Sequence, residues 1–104
     1  MTPEEAQTQL EEYRLAIDEV DRRIVALLNE RTLVVENIGR VKREVHLPVY
    51  EPKREDQVFA NITSANQGPL TTQAVRGIFE RIIDASRSIQ RLRMMQNPPE
   101  EPKC

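Results

Sequence analysis

The chain has 104 residues, which suits one domain, and its 15 basic and 17 acidic side chains leave a net charge of −2. This balance excludes the strongly basic surface that is typical of nucleic-acid binding or of attachment to a membrane. There is no apolar run of about 18 residues and no charged-then-apolar leader, so we expect a cytoplasmic protein. The one Cys is Cys104, the last residue, which excludes a disulfide framework and a cysteine-based metal site.

The first part of the chain predicts one long helix over about residues 4–45. Thr2 is a candidate cap, and Pro3 suits the first turn. Apolar side chains recur at alternating steps of three and four, which is a heptad pattern. We call these positions the apolar seam: Leu10, Tyr13, Ile17, Val20, Ile24, Leu27, Val34, Ile38, Val41 and Val45. Such a helix would be about 60 Å long, more than a small domain can cover, so we expect a long partner surface.

Three cations lie on or beside this seam. Arg31 occupies a seam position, where a guanidinium costs several kcal/mol unless an anion meets it. Arg14 and Lys42 flank the seam and would be about 42 Å apart along a straight helix, so one small ligand cannot contact both from one chain. If Arg14 serves the same kind of site, it must come from a second, antiparallel copy. The alternative for each cation is a solvated side chain at the edge of the seam.

Two shorter helices are predicted to follow. The second begins near Glu51-Pro52 and ends before Gly68-Pro69, because Gly followed by Pro stops a helix. The third can be capped by Thr71 or Thr72 and extends to about Gln96. These three helices predict an all-α fold.

The polar, Pro-rich segment 97–104 is predicted to be a disordered tail, so the folded domain would cover residues 1–96. His46 is interpreted as a residue of the connection between the first two helices. Its neighbour Pro48 favours an extended backbone there.

Polar side chains also interrupt the shorter helices. The apolar stripe of the third helix turns polar at Ser86 and Gln90, one turn apart on one face. Either that helix emerges into water there, or another helix covers it and supplies hydrogen-bond partners. Arg54 and Glu55, in the first turn of the second helix, could be an ordinary exposed charge cluster. Several cations, one acid and two neutral polar groups suit a site that binds and orients a small dianion, since nucleophile, metal-ligand and cofactor motifs are missing.

The joint spacing of eight residues carries a resemblance: Arg14, Asp21, Arg31, Lys42, Arg54, Glu55, Ser86 and Gln90. Together with the segments 17–21, 27–31 and 82–86, this pattern resembles the all-α class of chorismate mutases over about residues 8–93. The resemblance implies an intertwined homodimer of three-helix chains with two equivalent sites. It also implies conversion of chorismate to prephenate in aromatic amino acid biosynthesis, without a cofactor or a metal.

The resemblance implies a role for each site residue. Lys42 and Gln90 would donate hydrogen bonds to the ether oxygen of the bond that breaks. The remaining side chains would bind the substrate: Arg31 and the partner subunit's Arg14 at the two carboxylates with Arg54 nearby, Glu55 at the ring hydroxyl, and Ser86 by the ring carboxylate. Glu51 stands where relatives commonly have Asp, so its reach differs if its carboxylate makes the contact. Asp21 is interpreted as structural.

Two other functions remain open. An isochorismate pyruvate lyase would use the same cations on the same scaffold, and release of pyruvate without prephenate would identify it. A non-catalytic helical dimerisation module would tolerate Arg31→Met with equal or greater stability and no loss of function.

Overall fold

The computed structural model describes residues 1–96. Three α-helices, and no strand, lie within those residues: α1 (Pro3–Glu44), α2 (Pro52–Ala65) and α3 (Thr72–Gln96). The predicted all-α class and the order of the helices are confirmed, with boundaries that differ from the predicted ones by one or two residues. The predicted disordered tail lies outside the described residues.

Local hydrogen bonds explain where α1 and α3 begin. The Glu5 backbone N–H donates to Thr2 Oγ1 at 3.1 Å, and the Thr2 N–H donates to Glu5 Oε2 at 3.3 Å. This reciprocal arrangement is a capping box, which satisfies backbone donors at the helix start. At α3, the Ala74 N–H donates to Thr71 Oγ1 at 3.1 Å, so Thr71 is the cap.

The turn that follows the C-terminal end of α1 contains His46, which has a φ of 57°. The Leu47 N–H donates to the Lys42 carbonyl at 2.8 Å, and the His46 N–H donates to the Arg43 carbonyl at 3.4 Å. These two bonds form a Schellman motif with His46 in the left-handed position that Gly usually occupies. The motif turns the chain at His46, and the Val49 carbonyl that follows lies within hydrogen-bond distance of Lys42 Nζ.

Tertiary contacts divide the chain into two units, Met1–Leu33 and a second that begins at Val34. In the first unit, the apolar seam of α1 is exposed along its length: Leu10, Tyr13, Ile17, Val20, Ile24 and Leu27. Apolar side chains at this spacing are typical of a helix that packs against another long helix.

In the second unit, the buried apolar side chains are Val35 of α1 and Val75 and Ile83 of α3. Helix α2 packs on α3. Ile78 of α3 is 49% exposed. The seam residues of this unit are also exposed: Val34, Ile38, Val41 and Val45.

Within residues 1–96, no helix is both long enough and apolar enough to cross a bilayer.

Candidate active site

Lys42 is a buried cation near the end of α1, and its side chain is only 10% exposed. Its Nζ has three acceptors: Glu51 Oε1 at 3.0 Å, the Val49 carbonyl at 3.1 Å and Gln90 Oε1 at 3.4 Å. An ammonium group has three donors, so this set matches its capacity. Burial of an ammonium is costly, and the Glu51 charge together with two neutral acceptors offsets that cost. The ammonium is therefore held in one place.

Gln90 of α3 is the second buried polar side chain in this cluster, at 8% exposure. Lys42 can only donate, so the amide oxygen of Gln90 must face it, and the NH₂ end of the amide remains as a donor. Gln90 is thus covered by α1. A covered polar group requires a hydrogen-bond partner, and Lys42 is that partner.

Gly39 explains how Gln90 comes so close to α1. Gly39 is buried, and a Cβ atom added there would lie 3.3 Å from Gln90 Cγ. Gly in a helix interior costs about 1 kcal/mol relative to Ala. The space that this Gly leaves is filled by the aliphatic part of the Gln90 side chain.

A groove of about 370 Å³ adjoins Lys42 and Glu51. Its other walls come from α1: Val34, Asn37, Ile38 and Val41. One end of the groove is therefore charged and the rest is mainly apolar. This composition suits a small anionic ligand with an apolar ring.

Glu55 of α2 is held by Arg87 of α3, a residue that the sequence analysis did not single out. Arg87 Nε lies 3.1 Å from Glu55 Oε2, and Arg87 Nη2 donates to Glu55 Oε1 at 3.3 Å. The buried Nε–H is not aligned with an acceptor, so its contact is a close charge pair while Nη2 makes the hydrogen bond. Both side chains are mostly covered, with 29% and 21% exposure.

The remaining predicted residues of the second unit differ in their surroundings. Ser86 is half-buried, and its Oγ donates to the Ile82 carbonyl at 2.9 Å. Arg54 is exposed and donates to Gln57 Oε1 at 3.3 Å, within its own helix. The structure thus joins Lys42 directly to Glu51 and Gln90, whereas the contact recorded for Arg54 is local.

Arg14 and Arg31 belong to the first unit. Arg14 is 60% exposed, with Nη1 3.8 Å from Glu11 Oε2, a separation typical of a weak surface pair. Arg31 is half-buried. Their assignment to substrate carboxylates stays a prediction.

Three features of the cluster escaped sequence reasoning: the Val49 carbonyl, the small volume of Gly39, and Arg87. A backbone acceptor leaves no signal in the sequence. In the sequence, Gly39 indicates only a weak helix former inside a long helix pattern. Arg87 did leave a signal, because a charged residue directly follows Ser86 on the face that turns polar.

Within residues 1–96, no group of three or more His, Cys, Asp or Glu side chains is arranged to hold a metal ion.

Residues 13–91 match the sequence profile of the family described as chorismate mutase type II. A bifunctional chorismate mutase/prephenate dehydratase of Aquifex aeolicus is 34% identical over 87 residues, which cover 80% of this chain and 24% of that protein. The chain therefore spans about a quarter of the length of that bifunctional relative.

Solved structures show the same similarity. Chorismate mutase (form II) from Thermus thermophilus has a TM-score of 0.77 and 34% identity, with 88% of this chain and 99% of that chain covered. Chorismate mutase from Helicobacter pylori in complex with prephenate has a TM-score of 0.78 and 26% identity, with 85% and 96% covered. From the profile match and these similarities, the chain belongs to the chorismate mutase type II family.

Proposed function

We propose that this chain is a chorismate mutase, which rearranges chorismate to prephenate in the biosynthesis of phenylalanine and tyrosine. Membership of the family supports the proposal, as does the similarity to the Helicobacter pylori enzyme, whose structure contains prephenate. The observation that carries it is the buried Lys42 ammonium, which contacts Gln90 and lines a groove with mainly apolar walls. An intramolecular rearrangement needs such preorganised donors and no nucleophile.

Lys42 and Gln90 are proposed as the catalytic donors. As the carbon–oxygen bond breaks, negative charge accumulates on the ether oxygen, and donors that already point there stabilise the transition state more than the ground state. Lys42 has its three donors engaged, so the ether oxygen would replace one acceptor. The contact to Gln90, at 3.4 Å, is the longest of the three.

The other assigned side chains would bind and shape the substrate. Chorismate is a flexible dianion, and guanidinium forks of Arg31 and the partner subunit's Arg14, with Arg54 nearby, would hold its carboxylates in a compact shape. Glu55 would accept the ring hydroxyl, and Ser86 would lie by the ring carboxylate. Glu51 would act through Lys42, whose Nζ its carboxylate contacts at 3.0 Å.

A homodimer is part of the proposal. Seam residues outside the groove are exposed in both units of the single chain, with Leu27 at 62% and Val45 at 58% as examples. Because only about half of each side chain is exposed, covering one stabilises an assembly by roughly 1 kcal/mol before the entropy of association is subtracted. A second copy has a matching seam, because a two-fold axis pairs the same surface of both chains.

The direct test incubates the purified protein with chorismate and, separately, with isochorismate. We expect chorismate to be consumed with formation of prephenate and little release of pyruvate. If pyruvate is released from isochorismate and no prephenate forms from chorismate, the protein is an isochorismate pyruvate lyase and the proposed mutase activity is wrong. If neither compound is turned over, the non-catalytic dimerisation module is the remaining function. In that case Arg31→Met should leave the dimer intact and should preserve or raise its melting temperature.

Sedimentation equilibrium tests the assembly. We expect a mass twice the 12.1 kDa of one chain. A single chain at concentrations that support turnover would contradict the homodimer. Cell fractionation is the check on the cytoplasmic location, which stays a prediction.

A further inference from the structure

Arg87 is a guanidinium of the second unit that makes several contacts and has no assigned role. It contacts Glu55 of α2 through two nitrogens, at 3.1 and 3.3 Å. Its Nη2 also donates to Asp84 Oδ1 at 3.1 Å, and its Cζ lies 5.5 Å from the centre of the Tyr50 ring. One side chain therefore connects α2, α3 and the segment between α1 and α2.

This pair differs from the surface ion pairs of the same chain. Arg22 and Glu19 form a pair with 71% and 65% exposure, whereas Arg87 and Glu55 are 29% and 21% exposed. Exposed pairs are screened by water and salt and rarely hold one geometry. The covered Glu55 carboxylate receives one hydrogen bond from Nη2 and a close charge contact from Nε, and together these restrict its orientation.

We propose that Arg87 is a positioning residue, which orients the Glu55 carboxylate toward the ring hydroxyl of the substrate and offsets its negative charge. The proposal rests on the proposed function, from which the role of Glu55 is taken. A carboxylate has about four lone-pair sites, so Glu55 can accept a hydroxyl while Arg87 holds it. Because the carboxylate is already ordered, less side-chain freedom is lost on binding.

The charge of Arg87 matters as much as its geometry. Chorismate carries two negative charges, and an unpaired Glu55 beside it would repel the ligand. Arg87 also contacts Asp84, but that side chain is 66% exposed and screened by water, so the guanidinium offsets much of the charge of the covered Glu55. The Glu55 carboxylate keeps its ability to accept a hydrogen bond. The guanidinium also lies over the Tyr50 ring, a cation–π contact that favours this placement of the Arg87 charge.

The test compares Arg87→Met with Arg91→Met, which removes an exposed charge from the same helix. We expect Arg87→Met to raise the KM for chorismate about tenfold with a smaller change in kcat, and Arg91→Met to change neither. Arg87→Lys retains the charge without the fork, so its KM should lie between those of the wild type and Arg87→Met.

A double-mutant cycle with Glu55→Gln separates positioning from other roles. In the Glu55→Gln background there is no carboxylate charge to hold or offset, so Arg87→Met should change KM by less than about twofold. The same tenfold factor in both backgrounds would overturn the proposal, since Arg87 would then act on the ligand itself or on the fold. The melting temperature of each variant shows whether it is folded. If Arg87→Met is unfolded, Arg87→Lys takes its place in the double-mutant cycle.

The outcomes also distinguish this proposal from the proposed function. Wild-type turnover of chorismate combined with a wild-type KM in folded Arg87→Met overturns the role of Arg87 alone. Absence of wild-type turnover overturns both.

Discussion

Lys42 Nζ and Gln90 Oε1 lie 3.4 Å apart, although the two residues are 48 positions apart in the sequence. Each residue is 8% exposed, and among the described residues they are the buried polar side chains. The cation can only donate, and the amide accepts with one end and donates with the other. A buried charge and amide rarely increase stability over an apolar pair of similar volume, so their presence favours a functional explanation.

Lys42→Ala should lower kcat by about 10²–10³, because one donor to the developing negative charge is lost. It also leaves the Val49 carbonyl and the Gln90 amide without their donor, which should reduce the free energy of unfolding by about 1–3 kcal/mol. Chorismate consumption and urea denaturation measure the two effects. Lys53→Ala, at an exposed position of α2, is the control. Turnover near that of the wild type would remove Lys42 from the mechanism.

Gln90→Glu should make turnover depend on acid. Only the protonated carboxyl group can donate to the ether oxygen, and the ionised form instead pairs with Lys42. We therefore expect kcat to fall as pH rises through the pKa of the new carboxyl group, while the wild type lacks this fall. The measurement is kcat against pH for both proteins. The same pH dependence in both proteins would contradict the donor role of Gln90.

Gly39→Ala tests how closely α1 must approach Gln90. The added Cβ would lie 3.3 Å from Gln90 Cγ, so the amide must move by a few tenths of an ångström. We expect kcat to fall at least about tenfold, since small displacements of a catalytic group are costly.

Gly77→Ala is the matched control for Gly39→Ala, because a Cβ added at Gly77 has no atom within 4 Å. It should leave kcat unchanged and raise the free energy of unfolding by up to about 1 kcal/mol through helix propensity. Gly39→Ala should raise the free energy of unfolding by less, because crowding of the new methyl group against Gln90 offsets the higher helix propensity of Ala. Equal activities of the two variants would show that Gln90 tolerates the displacement.

Subunit mixing tests whether Arg14 serves the site of the other copy. Homodimers of Arg14→Ala and of Lys42→Ala should both be nearly inactive. A heterodimer of the two has one intact site if Arg14 acts across the interface, so an equal mixture that exchanges freely should regain about one quarter of wild-type activity. No recovery after verified exchange would contradict the assignment of Arg14 to the site of the other copy.

The sequence by itself determined the three helices, their order and most of their ends. The cause is that heptad spacing, caps and stop signals act within a few residues: Thr2 bonds to Glu5, and Thr71 bonds to Ala74. The sequence also indicated Lys42 and Gln90 as candidate site residues. A cation beside an apolar seam and an amide at the end of an apolar stripe are unusual however the helices pack.

Only the tertiary structure decided which of these groups meet. The Lys42–Gln90 contact depends on how closely α1 and α3 pack, and Gly39 sets that approach through the absence of a side chain. Arg87 and Glu55, 32 positions apart, meet because α2 packs on α3. Contacts of this kind depend on how whole helices are placed against each other. The periodicity of apolar residues along one helix does not specify which residue of another helix each one meets.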